Sequence, residues 1–272
     1  MRHPHGRARH PPEGDERRRL LLSYAELAAT LGDNFYTAPD MNTTSADMDV
    51  IAERHQHVFC RSIEKGGSGH PGSFTARGVF HGIRASVARV FGSDDLEGRV
   101  VLVQGVGEVG ARLADQLAQA GARVLVADID TERAGSLAHR IGAEVVSPET
   151  AIDLACDVYA PCAMGATLNA ETIPRLRCRI VAGSANNQLA EREDADRLER
   201  AGILYAPDYV INVGGVIGSW GIEGLAWDAD VVEARLAGIG ESLTEIYERA
   251  EAEGITTDAA AERLARSRLD EA

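Results

Sequence analysis

The sequence predicts an α/β protein with a doubly wound parallel sheet and C-terminal helices, and three observations carry that prediction. From residue 99 onward, short apolar runs alternate with amphipathic stretches. The apolar runs ("RVVLVQ", "ARVLVADID") are continuous rather than alternating, as in strands buried on both faces by helices. The first strand-to-helix junction, "VQGVGEVG", carries glycines at 105, 107 and 110, and the next strand ends in an acid.

The elements follow in order. The first residues, "MRHPHGRARHPPEG", are rich in Pro, His and Arg and lack an apolar core. Residues 1–15 read as a disordered or aberrant tail, with prolines that argue against an amphipathic targeting helix. Residues 16–32 place Leu20, Tyr24, Leu27 and Leu31 at helical spacing, with Gly32 as a stop. "NFYTAP" reads as a short extended piece, and "TSADMDVIAERH" as a helix capped by Thr44 or Ser45 with Asp47 in its first turn. His55 and His57, two apart on that helix, are expected to point in different directions, so no metal site is expected.

The glycine-rich "GGSGHPG" (66–72) marks a domain boundary or hinge. A helix over 73–92 follows, with His81 as a packing residue. Strands are expected at 99–104, 122–130, 143–146, 157–161, 179–184 and 202–207, with helices between several of them. The stretch 229–269 reads as two helices. The domain boundaries expected are therefore 16–72, 73–228 and 229–272.

Bulk properties exclude several functions. The chain has 272 residues and a net charge of −14, and no basic stripe crosses its folded part. Nucleic acids and anionic membranes are thus unsuited partners. No apolar run reaches the ~18 residues a membrane span needs. Four scattered cysteines without CxxC spacing read as reduced core residues of a cytoplasmic protein.

The glycine motif has the context a dinucleotide fingerprint requires: strand, turn, helix and second strand. Gly105 allows the tight turn, Gly107 the approach of a pyrophosphate and Gly110 close helix–strand packing. Val106, Glu108 and Val109 complete the turn and open the helix whose amides and dipole favour an anion. Asp128 is placed to accept the adenosine ribose hydroxyls, with Ile129 beside it. A carboxylate there repels a 2′-phosphate, so NAD is expected over NADP.

Three further runs, "DVYAPCAMG", "VAGSANNQL" and "GILYAPDYVINVGGVI", fall at the same carboxyl edge of the sheet. Ala160 and Ala185 permit close approach. Asn186, Asn187 and Asn212 offer neutral amides for a carboxamide, a ribose or a substrate carboxylate. Cys162, with no histidine partner, reads as a small residue beside the cofactor and not as a nucleophile.

These motifs, with "TAPDMNT", "DMDV" and "TARGVF", resemble those of the amino-acid dehydrogenases acting on Glu, Leu, Phe and Val, over roughly residues 16–270. The resemblance implies oxidative deamination of a hydrophobic L-amino acid to a 2-oxo acid and ammonia, with NAD as hydride acceptor. It implies Asp40 as the acid/base carboxylate, Asn212 as a substrate-carboxylate contact, and Thr75 near the nicotinamide amide. Gly105–Gly110, Asp128, Ala160, Cys162 and Ala185–Asn187 would line the NAD groove, and a homo-oligomer is compatible with it. Val213 and Val216 would narrow the substrate slot.

The resemblance also implies two lysines upstream of the "PDMNT" equivalent, the catalytic one after a glycine run. This chain has no such run, and its one lysine, Lys65, reads as a solvated loop residue. The expectation is a catalytic domain without its first part, exposing apolar surface on the 16–32 helix and a strand edge at "NFYTAP". A non-catalytic NAD-binding module, relic or regulatory partner of a full-length paralogue, is the alternative reading. A misassigned start of the chain is a third.

Overall fold

The computed structural model describes residues 12–40 and 42–270. Most of the expected tail, and Met41, lie outside the described residues; Gly14 and Asp15 already belong to the first helix. The chain forms two compact units, one running to Pro71 and taking in Ser219–Trp227, the other Gly72–Gly218 with Asp228–Ala272.

In the first unit, α1 (Gly14–Ala29) opens with Asp15 and Glu16, which suit its positive N-terminal dipole. It buries Leu21 and Ala25 against Met48 and Ile51 of α2 (Ser45–Ile51) and against Val58. The stripe of Leu20, Tyr24, Leu27 and Leu31 lies on the exposed side. Thr44 caps α2 in a reciprocal box: its hydroxyl accepts from the Asp47 N–H (3.2 Å), and the Asp47 carboxylate accepts from the Thr44 N–H (2.7 Å). Arg17 forks onto the same carboxylate at 2.7 and 2.8 Å.

Two expectations for this unit are corrected. "NFYTAP" contributes a single bridge, Thr37 to Val58, and no strand; Pro39 has no N–H to extend the ladder. The helix after Thr44 stops at Ile51, because His57 and Phe59 are drawn into that bridge, the Thr37 N–H donating to the His57 carbonyl at 3.0 Å. His55 and His57 therefore do not diverge on a helix: their rings lie edge to face at 5.7 Å. His55 is buried with Nε2 3.1 Å from the Phe35 carbonyl, and His57 faces Asp33 at 2.8 Å.

The second unit begins with α3 (Gly72–Phe91) and a sheet of β1 (Val100–Gln104), β2 (Arg123–Ala127), β3 (Glu144–Val145), β4 (Val158–Pro161), β5 (Ile180–Val181) and β6 (Leu204–Tyr205). The order is β3-β2-β1-β4-β5-β6, and every pair is parallel. Between the strands come α4 (Glu108–Gln119), α5 (Thr131–Ile141) and α6 (Asp194–Arg200), and after β6 the short α7 (Asp208–Ile211) and α8 (Gly214–Ser219).

The middles of the central strands are apolar: Leu102 of β1 stands opposite Leu125 and Tyr159, all buried. The outer strands are shorter than their apolar runs, since the residues after them bend into loops. At Gly183 a Cβ would lie 2.3 Å from the Pro161 carbonyl oxygen, so the chain passes too closely there to continue a regular strand with a side chain. The chain leaves β1 for β2 and β3, then returns to β4 on the other side of β1. The carboxyl ends of β1 and β4 thus border the switch-point crevice where open α/β sheets bind ligands.

The last helices, α9 (Ala229–Glu253) and α10 (Thr257–Asp270), match the expected pair. α9 is capped by Asp228, which accepts from the Val231 N–H at 3.0 Å, and lies along α3 with the buried Tyr247 hydroxyl 2.7 Å from Ser86 Oγ. Among the described residues no helix is long and apolar enough to cross a membrane.

Candidate functional site

The three glycines after β1 have different reasons to be glycine. Gly105 has φ +94°, and a Cβ there would stand 2.7 Å from Ala163 Cβ. At Gly110 a Cβ would stand 1.9 Å from the Gly105 carbonyl oxygen and 3.1 Å from Cys162 Cβ. Both are required by the protein's own packing. Gly107, the N-cap of α4, has an ordinary φ of −71°, and a Cβ built on it meets nothing within 4 Å. The space before the α4 N-terminus, with the amides of Glu108 and Val109 behind it, fits an anion such as a pyrophosphate.

Asp128 follows β2 and is buried. Its Oδ2 accepts from the Val106 N–H at 2.7 Å, tying the glycine turn to the end of β2. Its Oδ1 accepts from the Asp130 N–H at 2.8 Å and from Arg133 Nη2 at 2.9 Å. Burial works to raise its pKa, yet the Asp130 and Val106 amides and the guanidinium together hold the carboxyl below its ordinary value. Sequence reasoning missed Arg133, although its place in the first turn of α5, five residues after the acid, was the available signal. Ile129, next to Asp128, is 91% exposed.

On the other side of the crevice, Ala160 is buried within β4, and the Cys162 N–H donates to the Gln104 carbonyl at 2.7 Å. The Ala185 N–H donates to the Pro161 carbonyl at 2.9 Å, continuing the β4–β5 alignment into the loop. Asn212 Nδ2 donates to Asn186 Oδ1 at 2.5 Å and to the Ser184 carbonyl at 3.3 Å, so two of the predicted amides meet. Asn187 instead holds a turn: its φ is +50°, and its carbonyl accepts from the Ala166 N–H at 2.6 Å. Thr75 sits in the first turn of α3, where Gly214 comes close: a Cβ on Gly214 would be 3.1 Å from Thr75 Cα.

Beneath these loops lies a polar node that sequence reasoning also missed. Gln188, fully buried, donates from Nε2 to the Gly183 and Ala185 carbonyls at 2.9 and 3.0 Å. Its N–H donates to Asp208 Oδ2 at 2.7 Å, which also accepts from the Tyr205 hydroxyl at 3.1 Å. Burial pushes the Cys162 thiol up, against hydrogen bonds with Ser184, which is unsuited to a nucleophile.

In the first unit Asp40 opens an exposed turn. Its N–H donates to Thr43 Oγ1 at 2.7 Å, and its carbonyl accepts from the Thr43 N–H at 3.0 Å. Lys65 is 61% exposed, 3.7 Å from Asp49 Oδ2. The glycine-rich connector is held by Glu223 Oε1, which accepts from the Cys60 and Ser68 N–H groups at 2.7 and 3.0 Å. No group of His, Cys, Asp and Glu among the described residues is arranged to hold a metal.

Comparison with known proteins supplies the context for this geometry. The family model described as Glutamate/Leucine/Phenylalanine/Valine dehydrogenase matches residues 66–132 and 126–272. A leucine dehydrogenase of Thermoactinomyces intermedius is 42% identical over 259 residues, covering 95% of this chain and 70% of that protein. A valine dehydrogenase of Streptomyces albus is 41% identical over 268 residues, covering 96% and 72%. The crystal structure of L-tryptophan dehydrogenase from Nostoc punctiforme superposes with a TM-score of 0.78 at 36% identity, covering 93% of this chain and 73% of that one.

Proposed function

The chain belongs to the Glutamate/Leucine/Phenylalanine/Valine dehydrogenase family, and on that premise we propose that it binds NAD in its second unit and serves the oxidative deamination of a hydrophobic L-amino acid. The observation that carries the proposal is the open cradle at Gly107, set before the α4 N-terminus and beside the buried Asp128. Relatives named for leucine and valine, near 40% identity, support the hydrophobic substrate class.

Each residue then has a role. The Glu108 and Val109 amides receive the pyrophosphate, Asp128 the adenosine ribose, and Ile129 one face of the adenine. Ala160 and Ala185 keep the floor low, while the Asn186–Asn212 pair and Thr75 supply polar contacts toward the nicotinamide and the substrate. When bound, NAD supplies the hydride acceptor. Asp40 serves as the acid/base that moves the amino-group and water protons. The four free thiols, two buried and two half-buried, accord with a reducing cytoplasm.

A second reading has a specific observation in its favour. The chain's one lysine, Lys65, is turned to Asp49, and the deamination needs a cation at the developing oxygen charge. On that reading the chain binds NAD without turning over an amino acid. Calorimetric titration with NAD, followed by an NADH absorbance assay with L-Leu, L-Val and L-Phe at alkaline pH, separates the two. Binding with NADH formation supports the enzyme, and binding alone supports the module. Absence of binding at millimolar NAD defeats both.

A further inference from the structure

The ribose end of the site carries one more cation than its proposed task requires. Resting on the dinucleotide reading above, the geometry points to Arg133 as a cofactor-selecting residue: it competes with the ribose diol for Asp128 and, once displaced, becomes the ligand for a 2′-phosphate.

The argument is one of acceptor capacity. A carboxylate oxygen has two in-plane lone pairs. Among the described residues, Asp128 Oδ1 receives the Asp130 N–H at 2.8 Å and Arg133 Nη2 at 2.9 Å, while Oδ2 receives only the Val106 N–H at 2.7 Å. A vicinal diol that takes one oxygen each must therefore evict a donor from Oδ1. The backbone amide is fixed at the start of α5; the guanidinium, half exposed, is the donor free to leave.

Arg133 also has somewhere to go. Its Nε lies 4.0 Å from Asp130 Oδ2, and its side chain lines an open cleft of about 610 Å³ between α4 and α5 that starts at Val106 and Gly107. A phosphate on the ribose 2′-oxygen would enter at that mouth. Arg112 and Arg140, which line the same cleft, are turned to Glu108 at 3.2 Å and to Asp115 at 2.6 Å, away from Asp128. Among the described residues, Arg133 is the cation that hydrogen-bonds the ribose acid. Asp128 repels the 2′-phosphate while Arg133 attracts it, and the preference between NAD and NADP is set by the pair, not by the acid alone.

The test is calorimetric titration of the full chain with NAD, NADP, 5′-AMP and 2′,5′-ADP, in the native form and in Arg133→Ala, Arg133→Lys, Asp128→Ser and the Asp128→Ser/Arg133→Ala double variant. In Arg133→Ala the ratio Kd(NADP)/Kd(NAD) should rise by about tenfold or more, the worth of one charge-assisted hydrogen bond, and NAD should bind no more weakly than before. Arg133→Lys should keep the ratio within about threefold, since a point cation remains. Asp128→Ser should strengthen 2′,5′-ADP relative to 5′-AMP only while Arg133 is present.

An unchanged ratio in Arg133→Ala overturns the proposal. So does a loss of NAD affinity with NADP unaffected, which would make Arg133 merely a support for Asp128. The Arg133 variants keep the test decisive even where Asp128→Ser disturbs the glycine turn. Failure of the native chain to bind NAD or 5′-AMP at all is a different result, refuting the dinucleotide reading and this inference with it.

Discussion

Replacing Gly107 by Ala should separate folding from binding. Two terms act on stability, and they oppose each other. Removing a glycine from a backbone with φ −71° and extended ψ narrows the unfolded ensemble, a gain of about 0.4–1 kcal/mol. Ala is a poorer N-cap than Gly, a loss of about 0.5–1 kcal/mol. The new methyl meets nothing within 4 Å, so no steric cost is added. The net change should lie within about 1 kcal/mol of zero, and urea denaturation should show almost coincident midpoints. Binding is another matter, because the methyl fills the space before the α4 N-terminus. Pushing the pyrophosphate off one amide forfeits about 1.5–3 kcal/mol, a factor of roughly 10 to 150 in Kd for NAD by calorimetry. Native-like affinity in a folded Gly107→Ala chain would show that no anion sits at this turn and would sink the assignment of the site.

Other outcomes follow from the same packing. Gly110→Ala, whose methyl would lie 1.9 Å from the Gly105 carbonyl oxygen, should lower stability by about 1–3 kcal/mol along with NAD affinity; a fully stable variant would contradict the packing described for α4. Asp47→Ala should cost about 2 kcal/mol at pH 7, since it removes both the cap and the Arg17 partner. Arg17 and the Thr44 hydrogen bonds outweigh burial and depress the Asp47 pKa, so its contribution is complete above the unfolded value near ~3.9 and fades as pH falls through the folded one. The native and Asp47→Ala denaturation midpoints should therefore converge in acid; a gap that widens there contradicts this sign. Burial raises all four thiols, Cys156 to about 12 and Cys178 to about 11, so maleimide labelling at pH 8 should be slow until denaturant is added. Rapid stoichiometric labelling of any one cysteine in the native chain is the contrary result.

The legible part of the molecule was the part whose signals are local. The strand–glycine turn–strand–acid context around 105–128 is set by backbone geometry within a short span, and the sheet order agrees with it. Thr44 was legible as a cap because a cap is a one-turn interaction. What escaped depended on partners distant in sequence. The end of α2 is decided by the bridge from Thr37 to Val58, which no propensity within "TSADMDVIAERH" reveals. The Gln188–Asp208–Tyr205 node joins two loops twenty residues apart, and neither loop carries a local signal of the other. Arg133 escaped for a different reason: reading Asp128 as a ribose acceptor left no cause to ask what satisfies it beforehand. Buried carboxylates are almost always met by donors, and the donors nearest in sequence to Asp128 lie at the start of α5.

The glycine turn itself bears on the choice between an NAD-binding chain and a fold retained without its ligand. Gly105 and Gly110 discriminate nothing, because the sheet and α4 need them whether or not a cofactor ever binds. Gly107 is different. The fold has open space there, the backbone suits any residue, and Ser or Asn would cap α4 better by a few tenths of a kcal/mol. Gly107→Ser should accordingly leave stability equal or higher while weakening NAD, since the hydroxyl takes the amide the phosphate would use. The glycine is therefore the residue that folding disfavours slightly and that a pyrophosphate at this turn would require. Its presence favours binding under both functional readings, so the absorbance assay with amino acids, and not the titration with NAD, is what separates them.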